Sequence, residues 1–385
     1  MLDEFKSIDW NQAVEITQDI VKVNSYKLEG KVQLLEYIKG YIENNTDVEV
    51  EIYDINTEDP YLVASKTCEN PEFKLLLQGH LDVVSPEGME NPFTAEIKDG
   101  IMWGRGSADM KSGCAAILTA FIESTKLDNQ KGDIYLAYST DEEYKGDQMT
   151  SAILKGNIPK VDFCIIAEPT EENFAVYHKG NAWMKVEFPG KTAHASTPHL
   201  GINAIHRAGR FIVELEDYLE SGVIEEDSRF GKPTMNIGTV KGGSEANVVP
   251  ANCSIMIDKR YLPTSDVSSF IEEIDMIIEK CKIRDSEFEA ITNLIGDWSA
   301  LSIETETEIF KRVRNAVEST REIPVELVDM GGWGEGGYIQ KLDIPTMYYG
   351  PGSLKVAHTP NEIVKTDEIL SVAKGMYSII KEMCF

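Results

Sequence analysis

The stretch Phe73-Lys74-Leu75-Leu76-Leu77-Gln78-Gly79-His80-Leu81-Asp82 runs from an apolar segment straight into a glycine, a histidine and an aspartate. Residues 73–77 form a short, apolar run closed by polar residues, the pattern of a strand buried on both faces. Three more runs have this form: residues 134–138, 163–167 and 346–349. Between the first two, Cys114, Ile117, Leu118, Phe121 and Ile122 recur at helical spacing and predict one apolar stripe on a helix beginning near Lys111. Short strands alternating with helices predict an α/β fold, with a mostly parallel central sheet flanked by helices.

The rhythm changes in the middle of the chain. A strand (182–188) precedes a helix with Ile202, Ile205, Ala208, Ile212, Leu215 and Leu219 on one face. Two strands (234–240 and 252–257), a helix carrying Val267, Phe270, Ile271, Ile274, Ile277 and Cys281, and a strand near 288–291 complete the segment. The order βαββαβ predicts a self-contained α+β unit, residues 180–292, inserted into a discontinuous domain of residues 1–179 and 293–385.

Composition narrows the function. The 385 residues carry 37 Lys+Arg against 65 Asp+Glu, a formal net charge of −28. Such a chain repels phosphate backbones and anionic membranes, so nucleic acid and membrane surfaces are poor partners. No apolar stretch reaches the roughly 18 residues of a membrane span, and the acidic start differs from the basic start of a signal peptide. The six cysteines have no CxxC pair or framework spacing, which predicts reduced thiols and a cytoplasmic protein.

Ligand sites of open α/β sheets lie beyond the carboxyl ends of the strands. After the four runs come Gly79-His80-Leu81-Asp82, Asp141-Glu142-Glu143, Glu168-Pro169 and, a few residues after Gly350-Pro351-Gly352-Ser353, Ala357-His358-Thr359-Pro360. Asp109, in Gly104-Arg105-Gly106-Ser107-Ala108-Asp109-Met110-Lys111, opens the striped helix. Two imidazoles with several carboxylates suit Zn²⁺ or a neighbouring first-row ion, and a carboxylate shared between two ions is economical, which makes Asp109 the bridging candidate. Asp82, two residues beyond His80, can orient its imidazole. Each element has an ordinary alternative. A histidine after a strand is commonly a plain core or surface residue, Asp141-Glu142-Glu143 taken alone reads first as a solvated acidic turn in so acidic a chain, and Glu168-Pro169 reads equally as a strand stop. Coincidence at four strand ends is the weaker explanation. Gly104-Arg105-Gly106 lacks the third glycine of a dinucleotide fingerprint.

These motifs, in this order and nearly end to end, resemble the dinuclear zinc amidohydrolase and metallopeptidase family of acetylornithine deacetylase, succinyl-diaminopimelate desuccinylase, aminoacylase and glutamate carboxypeptidase. The resemblance implies that His80, Asp109 and Glu168 hold one zinc, that His358, Asp109 and Glu143 hold the other, and that Glu142 is the general base, with Asp82 supporting His80. Cobalt or manganese are alternatives to zinc. It further implies that the inserted unit is a lid and dimerisation domain of a homodimer. Gly190-Lys191-Thr192-Ala193-His194 looks like the segment whose histidine reaches the partner subunit's active site. Asn247, in the run 241–250, and Arg260 resemble substrate-gripping positions. The glutamate in Gly331-Gly332-Trp333-Gly334-Glu335, where many relatives carry aspartate, is similar to acetylornithine deacetylase, as are Gly350-Pro351-Gly352-Ser353 and Ile339-Gln340.

The implied reaction is hydrolysis of the amide of an N-acyl amino acid by metal-activated water, Glu142 taking the water's proton and passing it to the departing amine. His194 is the candidate to stabilise the oxyanion, Arg260 to fork onto a substrate carboxylate, and Asn247 to make an amide contact nearby. N-acetylornithine is the leading substrate, with succinyl-diaminopimelate and short peptides as competitors. A reading of another class is a catalytically silent dimeric binding protein. His178, His199 and His206 are read as ordinary histidines, and Arg260 could equally be a surface ion pair.

Overall fold

The computed structural model describes residues 5–221 and 226–385. The chain forms two compact units, one made of the described residues up to Tyr177 with Ser302–Phe385, the other of His178–Leu301.

The larger unit is built on a nine-stranded sheet in the order Glu49–Tyr53, Tyr61–Lys66, Asp133–Ser139, Lys74–His80, Phe163–Ile166, Thr346–Tyr348, Phe174–His178 and Leu301–Ser302, with Leu327–Asp329 paired to Phe174–His178. The four runs expected to be strands are the four central neighbours, and they pair in parallel. Their apolar character follows from this position, since helices cover both faces of a parallel sheet. His80 stands opposite Ser139, Gln78 opposite Ile166, and Tyr348 opposite Ile166, so their carboxyl ends finish along one rim.

The helix Ser112–Ser124 starts where the stripe predicts but is buried along all 13 residues, not on one face. Its apolar stripe meets the strands Lys74–His80 and Asp133–Ser139. Its small residues, Ala115, Ala116, Thr119 and Ala120, leave room for the helices Asn11–Val21 and Thr366–Cys384 to cover its other side. Gly113 sets the approach at the rim: a Cβ there would stand 1.9 Å from the Ala167 carbonyl oxygen. Gly79 does the same one layer away, its Cβ position lying 2.7 Å from Cys114 Sγ. We expect Gly113→Ala to lower stability by about 1–3 kcal/mol or more, as overpacking does in a tight core. Urea unfolding followed by circular dichroism checks this; an unchanged midpoint would mean that the strand end yields freely.

The smaller unit has the expected βαββαβ order. Its sheet runs Thr234–Gly242, Asn252–Tyr261, Gly180–Pro189, Ile291–Trp298, antiparallel throughout. Ala182, Met184, Val186 and Phe188 alternate inward with Cys253, Ile255 and Ile257 against two helices, Ala204–Glu220 and Val267–Arg284. Two expectations need correction. The last strand lies at Ile291–Trp298 instead of near 288–291, which carries the unit past the expected end at 292. It is an edge strand with a register shift at Leu294/Gly296, and its apolar residues Ile291, Leu294 and Ile295 are exposed, so it shows no inward-outward alternation. On the helix Ala204–Glu220 the buried face centres on Ala204, Ala208, Phe211, Leu215 and Tyr218, leaving Ile205 42% exposed and Ile212 and Leu219 on the flank. Phe211 and Tyr218 supply more apolar area than the isoleucines and take the centre.

All six cysteines are free thiols, five buried and Cys68 half-buried. Among the described residues no helix is long and apolar enough to cross a membrane.

Candidate metal centre

Strand ends and the loop before the helix Ser112–Ser124 deliver six side chains to one place. His80, the last residue of its strand, is fully buried. Its Nε2 lies 3.2 Å from Asp109 Oδ1, 3.5 Å from Glu168 Oε1 and 3.9 Å from Glu142 Oε2. Its Nδ1 faces Asp82, 3.1 Å from the main-chain oxygen and 3.5 Å from Oδ1. His358 Nε2 lies 3.2 Å from the other oxygen of Asp109, Oδ2, and 3.1 Å from Glu143 Oε1. Asp109 thus stands between the two imidazoles and offers one oxygen to each. Asp82 also accepts the main-chain N–H of Glu143 at 3.1 Å, tying the loop after one strand to the loop after its neighbour. His358 adopts φ of 61°, a left-handed conformation that histidine enters more readily than most side chains.

Two overlapping sets, His80, Asp109 and Glu143, and His80, Glu142 and Glu168, each place their ligand atoms within 4.8 Å of one another. The two sets bring together five of the six positions, and His358 joins them through Asp109 and Glu143. The second set contains Glu142, which geometry alone allows as a ligand as well as a base.

The electrostatics show what the cluster lacks. Among the described residues, the cationic side chains paired with Asp109, Glu142, Glu143 and Glu168 are His80 and His358 only. Burial, and then the neighbouring carboxylates, push Glu142 and Glu168 well above the usual carboxylate range, and burial raises Glu143. Burial acts on Asp109 in the same sense, but its hydrogen bonds to His358 and His80 outweigh it and hold the group far below its ordinary value. The hydrogen bond to Asp109, then that to Glu143, raises His358 to about 10. Four largely buried carboxylates sharing one buried imidazole, His80, and one exposed one, His358, are under-compensated, and burying uncompensated charge is costly. Oxygen and imidazole donors in this number fit two divalent ions of the zinc type, with Asp109 shared.

Behind the cluster lie two further carboxylates to which motif reading gave no role there. Glu335, noted in the glycine-rich loop, is 1% exposed and accepts hydrogen bonds from Gln78 Nε2 and, at 3.2 Å, from Ser139 Oγ. Burial raises it to about 7. Glu362, four residues beyond His358, is wholly buried and takes the guanidinium of Arg105. A signal existed for the second pair: an arginine between two glycines at the mouth of a buried loop needs a counter-charge.

The three substrate-binding candidates all lie in the smaller unit and do not assemble there. The His194 segment and the loop carrying Asn247 are bridged, His194 pairing with Val248 and the Ala195 N–H donating to Asn247 O at 3.0 Å. The His194 ring is exposed and contacts Ser196 Oγ at 2.8 Å. Arg260 sits near the far end of the strand Asn252–Tyr261, about 26 Å along it from Asn252 at the usual rise per residue. Its guanidinium is engaged by Asp258 at 2.9 Å and 3.3 Å.

The family model described as peptidase family M20/M25/M40 matches residues 76–382. Among curated relatives, the succinyl-diaminopimelate desuccinylase of Roseobacter denitrificans is 31% identical over 78% of this chain and 81% of its own length. The acetylornithine deacetylase of Myxococcus xanthus is 25% identical over 95% of this chain and 96% of its own. Among solved structures, the aminopeptidase PepT of Bacillus cereus superposes with a TM-score of 0.79 at 21% identity, covering 98% of this chain and 99% of its own, which is a likeness of fold. With its four parallel strand ends, its inserted βαββαβ unit and a family match spanning most of its length, the chain belongs to peptidase family M20/M25/M40.

Proposed function

We propose that this chain, a metal-dependent hydrolase of the amidohydrolase and peptidase type, cleaves the amide of an N-acyl amino acid, with two zinc ions at the cluster and acetylornithine deacetylase-like selectivity. The observation that carries the reading is Asp109 set between His80 and His358, with three further carboxylates around them and, among the described residues, no lysine or arginine paired with them. We assign His80, Asp109 and Glu168 to one ion and His358, Asp109 and Glu143 to the other, with cobalt or manganese as substitutes. When bound, such ions polarise a carbonyl and bring the pKa of water towards neutrality. Asp82 holds His80 through its Nδ1, leaving Nε2 free to face the cluster. Glu142 takes the proton of the attacking water and delivers it to the amine that departs.

His194 and Asn247 travel together at one end of the small sheet, while Arg260 lies at the other, and this separation supports a site shared between two subunits of a homodimer. In that arrangement His194 of one subunit stabilises the oxyanion in the other, and Arg260 exchanges Asp258 for the substrate carboxylate. The free thiols suit a reducing compartment, and we place the enzyme in the cytoplasm.

The test is a substrate panel with the zinc-loaded protein: N-acetylornithine, N-acetylmethionine, N-succinyl-diaminopimelate and a dipeptide. We expect kcat/KM for an N-acetyl amino acid to exceed that for the succinyl and dipeptide substrates by about tenfold or more, the scale on which a few pocket contacts discriminate. A preference for the succinyl compound or the dipeptide would move the assignment within the family. Tight binding of the panel with no turnover would support a silent binding protein.

A further inference from the structure

The strand Ile363–Lys365 pairs antiparallel with Ile101–Trp103, which also pairs with Glu96–Lys98, forming a three-stranded sheet separate from the large one. The loop that carries Asp109 leaves one of these strands at Gly104, and Glu362 enters the other, so the Gly104 N–H donates to the main-chain oxygen of Glu362 at 3.3 Å. The Glu362 side chain then turns under the loop. Its Oε1 accepts the main-chain N–H groups of Ala108 and Asp109, each at 3.1 Å, and its Oε2 takes the Arg105 guanidinium. Glu362 is 0% exposed and Arg105 1%, and Arg105 also donates to the Ser85 main-chain oxygen at 3.4 Å.

We infer that Glu362, with Arg105 as its counter-ion, is a positioning residue that holds the Asp109 carboxylate in register with His358. The inference rests on the metal reading above. Three contacts meet on one carboxylate. Two come from the backbone of the bridging residue and the residue before it, and the third comes from the arginine at the start of the same loop. Glu362 is joined to His358 by only three intervening residues. A shift of Glu362 therefore moves both faces of the cluster, the shared carboxylate and the imidazole 3.2 Å from it. An amide at position 362 would have to turn its NH₂ either towards the Arg105 guanidinium or towards the two N–H groups, opposing donor to donor in a dry site.

The experiment is a Co²⁺ titration of the metal-stripped protein, read by visible absorption and by calorimetry, for wild type, Glu362→Gln and Glu362→Asp. Aspartate keeps the counter-charge for Arg105 but falls one methylene short of the two N–H groups, which guards against a glutamine variant that does not fold. In folded protein, we expect either variant to bind Co²⁺ about 10–100-fold more weakly than wild type, the usual cost of losing an outer partner of a metal ligand. The d–d band should also change shape, showing altered coordination geometry. A role confined to fold stability would lower the melting temperature and leave affinity and spectrum unchanged; affinity within threefold of wild type and an identical band in folded Glu362→Asp would overturn the inference. If wild type takes up no Co²⁺, the metal reading itself fails, an outcome distinct from the one that sinks the role of Glu362.

Discussion

Glu142→Gln should retain its full complement of metal and lose turnover by about 10²–10⁴, the range that removal of a positioned general base commonly costs. Glutamine is close to glutamate in shape, so the buried cluster keeps its volume while losing the group that accepts the water's proton. The prediction is sharp because the geometry permits another role. Glu142 lies 3.9 Å from His80 and clusters with His80 and Glu168 closely enough to ligate. A ligand and a base respond differently to the change. Were Glu142 a ligand, the glutamine variant would emerge from gel filtration at fixed free zinc with less metal than wild type, and added zinc would restore part of the rate. Were it a base, metal content would be unchanged and no zinc concentration would restore the rate. Elemental analysis beside the steady-state assay separates the two, and activity within about tenfold of wild type would exclude both.

Asp109→Ala should be the most damaging change for metal binding. Its two oxygens face different imidazoles, each at 3.2 Å, so alanine removes one ligand from each proposed ion and leaves His80 and His358 without the carboxylate between them. Loss of a supporting partner costs about 10–100-fold in affinity; loss of a shared direct ligand should exceed that for both ions, and activity should fall with occupancy. The metal-loaded wild type should also be the more stable protein, since a ligand at 100 times its Kd adds about 2.7 kcal/mol to folding. That increment should be missing from Asp109→Ala. Metal content by elemental analysis and melting curves with and without zinc provide the readout. A variant that keeps two ions per chain and the full zinc-dependent rise in Tm would show that Asp109 is not shared.

The candidate centre was legible because its parts are local. A buried strand in a parallel sheet announces itself as a short apolar run, and the rim chemistry follows within a few residues, as in the step from Leu77 to His80 and Asp82. Asp109 opens the striped helix and His358 follows its strand at a greater remove, while His80, Glu142, Glu143 and Glu168 each sit beside such a signal. The partners behind them do not. Glu362 meets Arg105 across 257 residues, and Glu335 meets Gln78 across the same separation. No periodicity or spacing encodes such contacts, because they arise when separate loops are brought to one rim. The edge strand Ile291–Trp298 was misplaced for a different reason: its apolar residues Ile291, Leu294 and Ile295 are exposed and follow no alternation that burial would impose.

By itself, the order of residues determined that this protein has a parallel central sheet with an inserted βαββαβ unit and which side chains stand at the strand ends, since burial demands apolar runs and runs of that length have few ways to pack. Only the tertiary structure decided that Asp109 lies between two imidazoles, that the helix Ser112–Ser124 is enclosed on every side, and that His194 and Arg260 occupy opposite ends of one sheet. Those facts depend on distances between segments far apart in the chain, and close packing of the folded whole settles them.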